Sequence, residues 1–216
     1  MTVPAQLSAV VEQVARPRNL AGDGGANPTP RLQSSEWWVV PIPHAEAVAL
    51  TVAWHYSRSA SNTSVYRFGL ERRDNPLLRW GTSVWGLMSP GASKSVAGDS
   101  WGGVLACSRL CVDPNAPKNA ASFLLAHSRR QIDRARWPVL VSYADTRLGH
   151  TGAIYRADGW TFDRSTPAGD VWIGPNGEQR GRKRGPHNLS VPEMRARGFS
   201  LAPSFPKLRF VHRAVA

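Results

Sequence analysis

The chain has 216 residues and a formal charge of +12, from 27 Lys and Arg against 15 Asp and Glu. That length holds one sizeable α/β domain with its own core and is short for two. No run approaches the roughly 18 consecutive apolar residues that a membrane span needs, and the first residues lack a basic segment leading into an apolar run and a small-residue cleavage site, so a soluble cytoplasmic protein with no membrane partner is expected.

The basic excess is uneven. Residues 178–216 carry nine Lys and Arg and two Glu. Such a basic C-terminal region favours a nucleic acid over a small anion as partner, with a merely solvated basic face as the alternative. The two cysteines, Cys107 and Cys111, fall in an apolar run that reads as a buried strand. Positions four apart on a strand lie roughly 13 Å apart, too far for a disulfide, so both are expected to be small core or rim residues.

In chain order, Leu7 to Val14 reads as a short amphipathic helix and Ala21 to Pro30 as a turn-rich linker, making residues 1–33 a flexible N-terminal arm. Residues 34–216 then form the domain. Glu36 to Ile42 is an apolar strand, followed by a helix from Ala45 to Trp54 that ends at His55-Tyr56-Ser57. Strands follow at Val65 to Leu70 and Trp80 to Met88, and a Gly- and Ser-rich loop at Ser89 to Gly103.

The middle third is the most organised. Val104 to Val112 reads as a strand, Asp113 to Lys118 as a polar loop, Asn119 to about Arg136 as a helix whose apolar stripe is Ala121, Leu124, Leu125, Ser128 and Ile132, and Val139 to Tyr143 as the next strand. A loop, a short helix from Thr151 to Ala157, a strand at Gly159 to Phe162 and a last strand at Leu208 to His212 complete the pattern. Strand, loop, helix and strand within about 40 residues form a βαβ-type crossover, so α/β or α+β is favoured over all-β.

A helix start directly after a strand presents unpaired N–H groups and a partial positive charge to a phosphate chain. Lys118, Asn119 and Ser122 offer side-chain donors there, although the segment lacks Walker or Rossmann glycine spacing and also reads as a plain connecting loop.

The order strand, loop, long helix, strand and short helix, the last carrying Gly152-Ala153-Ile154-Tyr155-Arg156-Ala157-Asp158-Gly159-Trp160, resembles the GNAT acyltransferase superfamily and its mixed central sheet flanked by helices. In that superfamily a Tyr ahead of a Gly-Phe or Gly-Trp turn often protonates the leaving CoA thiolate, and Tyr155 stands at the matching place. The usual Arg/Gln-x-x-Gly-x-Gly/Ala pyrophosphate motif is absent.

A narrower resemblance is to the phage Mom proteins. It rests on His55-Tyr56-Ser57, on Ser108-Arg109-Leu110 with Pro117-Lys118-Asn119, and on Ser142-Tyr143-Ala144-Asp145 with Gly149-His150-Thr151-Gly152 and Ile154-Tyr155. Pro206-Lys207-Leu208-Arg209-Phe210-Val211 closes the series. The resemblance implies modification of adenine at its exocyclic N6 in double-stranded DNA, to a carbamoylmethyl group that protects phage DNA from restriction in the host cytoplasm. It implies acetyl-CoA or a related acyl donor, held along Leu110, Val112, Lys118, Asn119 and Ser122.

An exocyclic adenine amine is a poor nucleophile because its lone pair is delocalised into the ring, so the site needs a base or an activator of the electrophile as well as positioning. His55, Asp145 and Tyr155 are the expected catalytic residues. His55 fits a base or orienting role, Asp145 an acceptor for the N6 proton and Tyr155 an acid. The same three residue types also suit divalent iron. Against these stand a helix-ending His55, an Asp145 that caps its loop and a Tyr155 packed in the core; His150 reads as a loop residue, and Tyr56, Tyr143 and Ser108 as weaker candidates for the lining.

Base chemistry usually needs the base extruded into an aromatic pocket, which draws attention to Trp85, Trp101, Trp160 and Trp172. The run Arg180, Arg182, Lys183, Arg184 is the expected DNA-phosphate contact. An ordinary N-acetyltransferase of small amines or proteins and a non-catalytic DNA-binding protein are the rival readings, and a homodimer is one open assembly.

Overall fold

The computed structural model describes residues 30–59, 63–184 and 187–214. The helix expected at Leu7 to Val14 and nearly all of the N-terminal arm lie outside these residues. At the arm's described end, the Leu32 N–H donates to the Lys118 carbonyl (3.1 Å) and the Pro30 carbonyl accepts from the Lys118 N–H (3.1 Å), so residues 30–32 are pinned to the loop they pass.

A seven-stranded mixed sheet organises the domain, in the order β1-β2-β3-β4-β5-β12-β6. Its strands are β1 (Trp37–Pro41), β2 (Ser64–Arg72), β3 (Gly81–Gly86), β4 (Val104–Val112), β5 (Val139–Asp145), β6 (Thr161–Ser165) and β12 (Lys207–Arg213). Every neighbouring pair is antiparallel except β4 with β5. Helices α1 (His44–Trp54), α2 (Pro90–Ala97), α3 (Ala120–Arg130) and α4 (Ala153–Ala157) cover the faces. The expectation of a mixed α/β sheet flanked by helices therefore holds.

Side chains alternate between two buried faces, as a sheet covered on both sides requires. Leu105, Cys107, Leu140 and Phe210 point to one face with Leu125 of α3 and Tyr155 of α4. Val104, Ala106, Val139, Val141 and Val211 point to the other with Val96 of α2. Helix α1 lays Ala47 and Leu50 against Ile42 and Val84. It also buries Glu46, whose carboxylate pairs with Arg79 at 2.5 Å while Arg79 reaches Glu71 at 2.6 Å. This buried pair fixes the helix that delivers His55.

The expected loop at Ser89 to Gly103 is instead α2 followed by a 3-10 segment. The Ser89 hydroxyl accepts from the Ala92 N–H and Pro90 occupies the first turn, a start signal hidden among small residues. Helix α3 stops at Arg130 rather than near Arg136, because the Asp133 carboxylate accepts from the N–H groups of Ala135 (3.0 Å) and Arg136 (3.2 Å) and makes a turn there. The basic region also holds structure absent from the sequence reading. Strands β7 (Val171–Ile173), β8 (Gln179–Arg180) and β11 (Ser200–Ala202) form a small sheet ordered β11-β7-β8. Strands β9 (Lys183–Arg184) and β10 (His187–Asn188) pair beside it. Helix α5 (Val191–Ala196) buries Met194 with Trp172 and Phe199 as a satellite core.

Gly152 opens α4 with φ +79°, and a Cβ there would stand 2.2 Å from the Phe210 ring. Gly152→Ala is expected to lower unfolding free energy by about 2–4 kcal/mol through overpacking and left-handed backbone strain together; urea denaturation of the two proteins checks it.

Candidate active site

Strands β4 and β5 pair over three positions only, Val104 with Val139, Leu105 with Leu140 and Ala106 with Val141, and then part. On its other side β5 stays paired with β12 along its whole length. The parting opens a cavity of about 430 Å³, whose walls include Cys107, Leu110 and Val112 of β4, Ser142 and Ala144 of β5, and Tyr155 of α4. Where parallel strands separate, facing N–H and C=O groups lose their ladder partners and become available to a ligand. The Ser142 hydroxyl bridges the start of the gap by donating to the Cys107 carbonyl (3.2 Å). Both cysteines are buried, free thiols whose pKa burial pushes up to about 12, so they stay protonated packing residues as expected.

His55 and Tyr56 follow α1 and also line this cavity. Their rings lie 4.2 Å apart. The Ser57 N–H donates to His55 Nδ1 (3.2 Å), and the Ser57 hydroxyl is 2.8 Å from the same nitrogen. A backbone N–H can only donate, so Nδ1 is the acceptor and the neutral ring carries its proton on Nε2. Burial, with Arg109, Lys207 and His150 adding to it, lowers the His55 pKa to about 3. The imidazole is therefore uncharged near neutrality and presents an N–H rather than a lone pair from Nε2.

Tyr155 is buried in the opposite wall, its hydroxyl 2.8 Å from the Ser142 hydroxyl. The Ser142 hydroxyl donates to the Tyr155 oxygen at 2.8 Å and shares that hydrogen with the Cys107 carbonyl at 3.2 Å, so the phenol's own hydrogen is not needed by Ser142. Burial foremost, then the Cys107 thiol, raises its pKa, so it keeps its proton.

Asp145 stands apart from this pair. Buried at the end of β5, its carboxylate accepts from the Arg147 N–H (3.1 Å) and lies 3.5 Å from Lys207 Nζ. It lines a separate groove with Arg147, Phe205 and Lys207. Its link to the cavity is Tyr56, whose phenol burial pushes up to about 12, with the Asp145 charge next and a hydrogen bond to Asp145 among the smaller causes. The three expected residues thus do not form one cluster: His55 and Tyr155 face a common cavity, and Asp145 touches it through Tyr56. Among the described residues no group of three or more His, Cys, Asp and Glu is placed to hold a metal ion. With Asp145 turned away into its own contacts, the expected iron ligation by His55, Asp145 and Tyr155 has no support in the geometry.

Leu110 and Val112 line the cavity, whereas Lys118, Asn119 and Ser122 lie at the start of α3 outside its walls. Asn119 has left-handed backbone and accepts at its carbonyl from the Ser122 hydroxyl (3.0 Å), so that hydroxyl is already engaged. His150 stands at the rim, 6.1 Å from the Tyr56 ring, and the Ser108 hydroxyl is spent on the Val84 carbonyl (3.1 Å). The tryptophan expectation is corrected for three of four residues. Trp85, Trp160 and Trp172 are buried core, because each sits on or beside a strand with its ring inward, and only Trp101 is substantially exposed.

Arg180 is exposed on β8, Arg182 half-buried after it, and Lys183 and Arg184 form β9. Two contributors were undervalued in the sequence. Tyr56 connects Asp145 to the cavity, and Arg109 lies in the wall beyond the His55-Tyr56 pair. Both stood inside recognised motifs, and only their position next to His55 and Ser108 pointed to them.

The Mom protein family matches residues 36–189, most of the domain. The chain belongs to the Mom protein family. No curated protein matches its sequence. Among solved structures, this Mom family chain is similar to a Bacillus subtilis acetyltransferase in complex with CoA (8% identity, TM-score 0.49, covering 83% of this chain and 99% of that one). It is also similar to an N-acetyltransferase from Staphylococcus aureus (10%, 0.48, 82% and 98%). A third is a putative acetyltransferase from Salmonella typhimurium with its cofactor acetyl-CoA (11%, 0.46, 82% and 93%). No helix of the described residues is long and apolar enough to cross a membrane.

The His55 arrangement has a pH signature. Its folded pKa of about 3 lies below the ordinary 6.5, so the unfolded chain takes up a proton here that the folded one refuses. Native stability should fall through this group as pH drops from about 6.5 towards 3. Ring ¹⁵N shifts should show His55 as the Nε2–H tautomer without titration between pH 5 and 8; an imidazolium appearing near pH 6 would contradict the placement.

Proposed function

We propose that this Mom family protein is a transferase that modifies the exocyclic N6 of adenine in double-stranded DNA, forming the N6–carbon bond as the carbon–sulfur bond of a CoA-type donor breaks, to leave a carbamoylmethyl adenine. The observation that carries this reading is the pairing of an inter-strand cavity with proton-donating Tyr155 on one wall and the His55-Tyr56 pair on the other.

The donor is assigned to the gap between β4 and β5, where freed backbone groups and the apolar sides of Leu110 and Val112 suit an extended CoA arm. A CoA donor bound there supplies an activated carbon and a thiolate leaving group. Tyr155, protonated and close to the gap's start, is placed to protonate a leaving sulfur. His55, with its hydrogen on Nε2, suits a donor that polarises a carbonyl oxygen more than a base.

The base falls to the other pair. Tyr56 faces the cavity and is backed by the buried Asp145 carboxylate, so a proton lost from N6 has a route through the phenol towards Asp145. A carbamoylmethyl group joins N6 through a methylene and carries an amide nitrogen, so the balanced donor is not acetyl-CoA itself but one that already carries that nitrogen and bears its sulfur leaving group on the methylene carbon. Family membership supports the N6 target and restriction protection in this reading, and the basic run Arg180, Arg182, Lys183 and Arg184 supports DNA as the partner. The protein's place is then the cytoplasm of the host cell.

The test is nucleoside mass analysis of DNA from cells expressing the protein. A deoxyadenosine derivative of carbamoylmethyl mass supports the reading, and unmodified deoxyadenosine from cells containing soluble, folded protein contradicts it. Tyr56→Phe and Tyr155→Phe should each lower the modified fraction by about 10²–10⁴-fold, with melting temperatures close to that of the parent.

A further inference from the structure

Beyond the His55-Tyr56 wall lies a second cleft of about 210 Å³, more polar than the first, whose lining includes Ser57, Ser59, Arg109, Gln179, Arg180 and Lys207. Three of its side chains are cationic, and Asp170 is the acid among those that line it. Arg109 is held rigidly: its guanidinium donates to the Ser59 carbonyl (2.6 Å), the Ser108 carbonyl (2.6 Å) and the Ser59 hydroxyl (3.2 Å). These are neutral oxygens, which engage three of its five hydrogens without cancelling its charge. The small sheet supplies the facing wall, and the Gln179 N–H donates to the Ser57 carbonyl (2.8 Å), locking β8 to the segment that carries His55. Lys207 is fixed by its place opposite Asp145 on β12.

From this geometry we infer that the second cleft is a phosphodiester site: Arg109, Arg180 and Lys207 hold a backbone phosphate of the target strand, so that the attached nucleotide meets the cavity across the His55-Tyr56 wall. The inference rests on the DNA reading above and adds where the acceptor is gripped. Three cations around a small polar cleft, Arg109 held by its hydrogen bonds, Lys207 by its ion pair with Asp145 and Arg180 exposed on β8, suit a phosphate better than a neutral ligand. A phosphate bound there also lies beside a neutral histidine and the phenol of Tyr56, with Asp145 and Asp170 the acids among the residues lining the cleft and its neighbouring groove.

Phosphates of the DNA backbone and of the acyl donor share this chemistry, so the experiment measures both. Fluorescence anisotropy of a labelled duplex over a salt series, and calorimetry of CoA, are compared for the parent, Arg180→Gln, Lys207→Gln and Arg130→Gln, the last an exposed α3 position away from the cleft. The site predicts that Arg180→Gln and Lys207→Gln each weaken duplex binding by about tenfold and lower the salt slope by about 1. Arg130→Gln and every CoA affinity should stay near the parent's. Equal losses in all three variants, loss at Arg180 alone, or unchanged binding in both cleft variants would overturn the site while leaving the DNA reading in place. A loss of CoA affinity in place of duplex affinity would assign the cleft to the donor and overturn the inference. A parent protein that binds no duplex at low salt would remove the DNA reading and the site with it.

Discussion

Everything functional in this fold follows from two parallel strands that stop pairing after three positions. Parallel ladders are ordinarily continuous, and parting them leaves polar groups without partners, which is tolerable only where something else holds each strand. Here β3 holds β4 on one side and β12 holds β5 on the other. The Ser142 hydroxyl satisfies the first freed carbonyl. The same β12 pairing that permits the gap sets Lys207 opposite Asp145, and so connects the cavity's support to the charge at its edge.

The electrostatics of the site divide sharply between wall and rim. His55 is kept neutral, and Tyr56 and Tyr155 keep their protons, so these three groups bring no fixed charge to the cavity wall. Arg109, Arg180 and Lys207 put positive charge just outside it. For an acceptor amine with little nucleophilicity this separation is useful: charge attracts and orients the polyanion, while the reacting atoms meet a site of low polarity in which donor groups act strongly.

Much of the frame was legible in the residues. The apolar run of β4, the helix after it and the β5 run carry strong periodic signals, and the buried cysteines followed from strand geometry. What escaped was written in weaker code. Helix α2, Pro90 to Ala97, is made mostly of Ser, Gly and Ala and buries only Ser93 and Val96, too little apolar contrast to show a helical stripe. Helix α5 did carry its start signal, a reciprocal Ser190 and Glu193 capping box, yet the surrounding basic charge drew attention to partner binding rather than to structure. The candidate site was legible as residue types in motifs, not as distances. That Asp145 would be turned from the cavity and reach it through Tyr56 depends on the Arg147 N–H and Lys207, one local and one 62 positions along the chain, and no spacing rule encodes the second. The burial of Trp85, Trp160 and Trp172 likewise depends on which sheet face each ring joins.

The central claim is that the parted strands receive the group donor with its reacting end between Tyr155 and the His55-Tyr56 pair. A crystal structure of the protein with bound CoA tests this most directly. The account predicts the pantetheine arm lying between β4 and β5, hydrogen-bonded to backbone groups past Ala106 and Val141, with the sulfur beside the Tyr155 hydroxyl. CoA bound elsewhere, with β4 and β5 still parted and the space between them holding only water, would contradict it.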